Sequence, residues 1–125
     1  MAIIFHIAPR QAWTIAGTNS EGQTGTWFYH PEMFPVEGFI HCSTGDQVIR
    51  VADIRFRGQT GLVLLCIDTD KVVAEIRYEN LEGGIELFPH IYGELNTNAV
   101  VQVADFEPGL SGYFALPEIQ CGANC

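Results

Sequence analysis

The sequence predicts an α+β fold, and three observations carry that prediction. Leu62-Val63-Leu64-Leu65-Cys66-Ile67-Asp68 is apolar without interruption up to its last residue, the pattern of a central strand covered on both faces. Shorter apolar or alternating runs flank it at residues 3–7, 38–42, 74–79, 86–92 and 99–106. Only two stretches combine an apolar face with helix-start and helix-stop residues. The expectation is a β-sheet core with two main short helices, forming one globular domain over residues 1–120 with a loose tail at 121–125.

Taken in order, residues 3–7 are a first strand interrupted by His6. Pro9 fits the first turn of a short helix, where its missing N–H does no harm, and Gly17 stops that helix. Residues 18–35 are the least regular part: Gly22, Gly25, Pro31 and Pro35 break them repeatedly, while Trp27, Phe28, Tyr29, Met33 and Phe34 make them apolar. Such a segment is either a lid beside a ligand or a loop packed into the core. Residues 38–44, Gly-Phe-Ile-His-Cys-Ser-Thr, read as a strand running straight into a helix. Thr44 with Gln47 forms a capping-box pattern, and Gly58 ends the helix. Asp68 to Lys71 is a turn. Residues 74–79 are a strand with Ile76 and Tyr78 inward. Pro89 marks residues 86–92 as an edge strand or a bulge. In the last strand Val101 and Val103 share a face. Tyr113, Phe114, Leu116 and Ile119 fold the following segment back onto the body.

Composition narrows the function. A chain of 125 residues buries roughly two-thirds of its unfolded surface and needs no staples. Its net charge of −9, with one lysine and five arginines, disfavours nucleic acid and anionic membrane surfaces. No apolar run approaches the ~20 residues of a membrane span, and residues 1–6 lack the pattern of a signal peptide. The cytoplasm is the expected compartment. Cys42, Cys66, Cys121 and Cys125 have no zinc-finger spacing and are expected to be free thiols.

The chemistry concentrates at the strand-to-helix junction around His41. Backbone N–H groups at such a junction bind anions. His6, His41 and His90 occupy comparable places in three strands, so the rings either converge on one pocket or serve separately as hydrogen-bonded structural groups. Ser43 sits where its hydroxyl reaches a cleft. Cys42 alternates away from His41 and faces the core; a nucleophilic pair of Cys42 with a histidine lacks a third orienting group. No spacing favours a metal site. Glu79, Glu82, Glu86 and Glu94 are candidate acids, and Glu86 stands out because it opens the strand that carries His90. Gly-x-Gly-x-x-Gly, P-loop and Gly-x-Ser-x-Gly patterns are absent.

Four segments occur in a telling order: Ile4-Phe5-His6-Ile7-Ala8, Glu37-Gly38-Phe39-Ile40-His41-Cys42-Ser43-Thr44, residues 62–68, and Glu86-Leu87-Phe88-Pro89-His90-Ile91-Tyr92-Gly93. Together with Gly112-Tyr113-Phe114-Ala115-Leu116-Pro117 they resemble the bacterial family called domain of unknown function 952, over roughly residues 3–118. The chain departs from it in the aromatic-rich loop before Glu37 and in the cysteine tail. The resemblance implies a split mixed or antiparallel sheet like that of ADP-ribosyltransferases. It further implies a cleft for NAD or an ADP-ribose compound, with ADP-ribosyl or glycosyl transfer as the activity. In that frame His6 holds the ribose, His41 packs on the nicotinamide and Ser43 assists. Trp27, Tyr29 and Tyr92 are further ligand contacts. The third catalytic place falls to Glu86, His90 or Glu79. NAD is expected as a substrate, with no tightly bound cofactor. The alternative is a catalytically silent module that binds a small molecule or a protein through the same cleft.

Overall fold

The computed structural model describes residues 2–16 and 27–119. Gly17, Gly22, Gly25, Cys121 and Cys125, singled out above, lie outside the described residues. The centre is β4 (Leu62–Asp68), all seven residues buried. It lies between β1 (Ile3–Pro9) and β8 (Val100–Phe106), both antiparallel to it. Alternation sorts the strand's side chains into two layers. Val63, Leu65 and Ile67 meet Tyr29, Ile40 and Ile91 on one side. Leu62, Leu64 and Cys66 meet Val48, Ala52 and Phe114 on the other. Each fully buried Leu or Ile here contributes roughly 1.5–3 kcal/mol.

The first layer rests on two smaller sheets. One has the order β3–β6–β5, from Ile40–His41, Phe88–Tyr92 and Glu75–Glu79, with both pairings antiparallel. The other pairs β2 (Phe28–Tyr29) with β7 (Leu95–Asn96). The second layer is α3 (Val48–Arg55) and the returning C-terminal segment. Phe114 stacks on Phe106 at 4.7 Å, and its N–H donates to the Asp53 carboxylate at 2.8 Å. Of the other expected anchors, Ile119 packs against this layer, whereas Tyr113 and Leu116 are exposed.

A backbone bridge ties the central sheet to the segment leaving the β3–β6–β5 sheet. Phe5 N–H donates to Ser43 O at 2.7 Å, and Ser43 N–H returns a bond to Phe5 O at 2.8 Å. Beyond that bridge, residues of both sheets line the cleft described below.

Several local expectations change. Pro9 closes β1, and α1 (Arg10–Ala16) starts one residue later. Pro35 does not break the chain but sits in the first turn of a one-turn helix, α2 (Phe34–Glu37), a place that tolerates its missing N–H. Pro89 lies in a central strand, not at an edge. Its carbonyl accepts from Cys42 N–H at 3.0 Å, but it has no N–H to return. The β3–β6 ladder therefore ends at His41, and the chain is released to bridge β1 at Ser43. Tyr78 is exposed while Ile76 packs inward. Val101 and Val103 do not share a face: the register shifts between Cys66 and Ile67, Val101 packs against the α3 layer and Val103 is exposed.

Candidate functional site

The cleft has a volume of about 430 Å³. Its walls come from β1, β3, β6 and the end of β5, closed by Tyr29 and by residues of α2 and α3. It brings His6, His41, His90, Ser43, Tyr29 and Glu79 together.

His6 is the inner anchor. Its Nδ1 lies 2.6 Å from the His41 carbonyl and its Nε2 lies 2.9 Å from the Tyr29 hydroxyl. A carbonyl only accepts, so Nδ1 carries the proton and Nε2 accepts from Tyr29. Burial drives the His6 pKa from 6.5 down to about 4, which keeps the ring neutral at pH 7. Burial likewise pushes the Tyr29 hydroxyl well above its usual range. Both His6 nitrogens are committed to Tyr29 and the β3 backbone, so neither is free for the expected role of holding a ribose.

His41 and His90 face each other across the β3–β6 pairing, where they are register partners. Their ring centroids stand 5.3 Å apart, edge to face. Each is held by a carboxylate: His41 Nε2 is 3.1 Å from Glu37 Oε2, and His90 Nδ1 is 3.0 Å from Glu79 Oε1. Phe39 braces the pair, stacking on His90 at 4.4 Å and meeting His41 edge-on at 4.8 Å. The His41 side chain is half exposed; that of His90 is nearly buried. Glu79 also accepts a hydrogen bond from the Tyr92 hydroxyl. The Tyr92 and His90 donors hold the Glu79 carboxyl below the usual carboxylate range.

Ser43 is only 5% exposed and lines the cleft. Its backbone bridges to Phe5, and its hydroxyl has no partner among the described residues. No side-chain polar atom there is both sealed and unpartnered, so the hydroxyl meets the cleft. Cys42 packs in the core with its thiol pushed far up by burial, which removes it as a nucleophile at pH 7.

Three expected site residues lie elsewhere. Glu86 does not line the cleft; its carboxylate binds Arg50 and the Gln47 side chain toward α3. Trp27 lies beside β7, bonded to Thr97 at the backbone. Tyr92 stands behind Glu79 with the Arg77 guanidinium 4.2 Å over its ring. Three of the expected anion-binding amides are occupied, and the two between them, at Gly45 and Asp46, do not line the cleft. Thr44 N–H donates to Gln47 Oε1 at 3.0 Å, while the N–H groups of Gln47 and Val48 both reach Thr44 O at 3.1 Å. Glu37 was not anticipated as a partner for His41. The i,i+4 spacing was visible, but Pro31 and Pro35 read as breakers and hid the helical turn that carries it. No three His, Cys, Asp or Glu side chains among the described residues group as a metal site. No helix there is long and apolar enough to cross a membrane.

Known proteins place the chain as follows. The crystal structure of CC0527 from Caulobacter crescentus is similar over 91% of this chain and 94% of that one, with a TM-score of 0.74 and 32% identity. A double mutant of CC0527 gives the same figures. Its solution NMR structure gives a TM-score of 0.72 at 33% identity, over 90% of this chain and 91% of that one. No curated protein matches. The family described as protein of unknown function, DUF952, matches residues 7–103, and the chain belongs to that family.

Proposed function

We propose that the cleft binds a small molecule of the NAD or ADP-ribose type, and that the protein transfers the ribosyl group to an acceptor or to water. One observation supports this above the rest: three imidazoles, a carboxylate and an unpartnered serine hydroxyl share one cleft lined by residues of two sheets. In this reading His41 and Tyr29 pack against the base and Ser43 bonds a ribose hydroxyl. Glu79, rather than Glu86, stabilises positive charge developing on the ribose. The bond from C1′ to the base nitrogen breaks, its electron pair leaves with the base, and the acceptor oxygen or nitrogen adds at C1′ and gives up its proton to solvent. His6 is a positioning residue. The split-sheet architecture of ADP-ribosyltransferases is part of the same proposal and is consistent with β1 and β3 lying in separate sheets.

A second reading, a catalytically silent binding module, is favoured by the commitment of Glu79 to Tyr92 and His90. Thermal-shift measurement with NAD and ADP-ribose, followed by assay of free nicotinamide, separates the two. A ligand at 100 times its Kd stabilises by ~2.7 kcal/mol. The expected outcome is a shift with NAD and slow nicotinamide release that Glu79→Gln abolishes. Binding without release selects the silent module. No shift with either nucleotide removes the first reading.

A further inference from the structure

The charges around the cleft point to the kind of ligand it accepts. Its lining contains four glutamates, Glu32, Glu37, Glu79 and Glu82, and a single arginine, Arg55. That arginine is already spent on Glu82, at 2.6 Å. The imbalance does not depend on undescribed residues, because residues 17–26 and 120–125 contain no lysine or arginine. The other cationic side chains are Arg10, Arg50, Arg57, Lys71 and Arg77, and none lines the cleft. Arg10 pairs with Asp105, Arg50 with Glu86 and Arg77 with Glu75. Arg57 lies over Tyr113. Backbone donors do not substitute for them: the amides of Ser43, Thr44, Gln47 and Val48 are bonded internally, and Gly45 and Asp46 do not line the cleft.

A phosphate seated here would lose its hydration and face carboxylates without a free cation or a nest of amides. A cation meets the opposite field. Glu79 stays ionised between the Tyr92 and His90 donors, and Glu37 sits on the far side of His41. Tyr29, Phe56 and Phe88 supply aromatic walls, which favour a flat, positively charged ring. Ser43 is 5% exposed as a residue, and its hydroxyl, unpartnered among the described residues, is left to bond such a ligand.

We infer that the cleft between β1, β3 and β6 takes a positively charged, flat nitrogen heterocycle of the N-alkylpyridinium kind and excludes phosphate groups. The inference rests on the cleft being a ligand site. Within the NAD reading it assigns the cleft to the oxidised nicotinamide riboside end and leaves the diphosphate outside.

The test is calorimetry or ligand-observed NMR with the whole chain and six probes: 1-methylnicotinamide, its neutral counterpart nicotinamide, NAD, NADH, ADP-ribose and inorganic pyrophosphate. The expected result is 1-methylnicotinamide binding at least tenfold tighter than nicotinamide, and NAD tighter than NADH by a similar factor. ADP-ribose and pyrophosphate give no binding signal. The double variant Glu32→Gln, Glu37→Gln weakens the cation severalfold while its melting temperature confirms folding. Ser43→Ala, which loses no internal hydrogen bond, weakens it without unfolding the protein. If 1-methylnicotinamide binds and NAD does not, the charge rule stands and the NAD reading falls. If ADP-ribose or NADH binds as tightly as NAD, the charge rule is overturned and the nucleotide reading survives. If no probe binds, both are lost.

Discussion

His6 shows how much a single side chain decides in this molecule. It lies on β1, yet its two nitrogens clamp the β3 backbone and the β2 tyrosine, so it holds three strands together at the inner end of the cleft. Its pKa falls from 6.5 to about 4 because burial penalises the imidazolium. The folded state thus prefers the neutral ring. The contribution of His6 to stability is complete above pH ~6.5 and is lost as the pH falls from there toward ~4. Between about pH 7 and about pH 5 the protein should lose about 2 kcal/mol of unfolding free energy through this one group. That window lies above the range where Glu79, whose carboxyl is held low, takes up its proton. Urea denaturation across the window checks this. His6→Asn keeps a donor for the His41 carbonyl but has no titrating group, so its stability should be nearly flat there. An unchanged slope in the variant would assign the acid sensitivity to another residue. The sequence named this histidine but not its state. A histidine in an apolar run is visible in sequence; the carbonyl and hydroxyl that fix its tautomer come from residues 23 and 35 positions away.

Elements differ in how plainly the sequence states them, and length explains the difference. The bounds of β4 follow from the sequence to the residue, because six consecutive apolar positions closed by Asp68 admit few alternatives. The two-residue strands β2, β3 and β7 and the one-turn α2 carry no period at all, and their pairing partners decide them. The same limit governs the site. His41 meets His90 because the β3–β6 register pairs them, and Glu79 rather than Glu86 reaches the cleft because β5 pairs Glu79 with Phe88. The junction before α3 is the opposite case, since the Thr44/Gln47 pattern announced a cap and Gln47 supplies half of it. Gln47 is buried, and its amide also donates to Leu87 O at 2.7 Å. It therefore locks α3 to the chain entering β6. Gln47→Ala leaves both Thr44 N–H and Leu87 O without their partner. The expected cost is about 2 kcal/mol, read as a lower urea midpoint with an unchanged m-value. A loss below about 0.5 kcal/mol would mean that water replaces the side chain at both groups.

At the scale of the whole molecule the acidic surplus shapes both recognition and stability. Fifteen acidic residues face six basic ones. Four of the five arginines are spent on local carboxylates at exposed positions. Exposed pairs of this kind contribute only ~0–1 kcal/mol each. The remaining carboxylates repel one another over distances that salt controls, because the Debye length shrinks from about 30 Å at about 10 mM to about 8 Å at about 150 mM. Added salt weakens the short pairs slightly and relieves the long-range repulsion more. The melting temperature in the absence of ligand should therefore rise by a few degrees as sodium chloride goes from about 10 mM to about 150 mM. Differential scanning calorimetry with sodium chloride and, separately, potassium chloride distinguishes general screening, which affects both equally, from binding of one cation. A melting temperature that falls with salt would mean that the arginine pairs outweigh the repulsion. The field around the cleft would then be more nearly balanced than the count of its side chains implies.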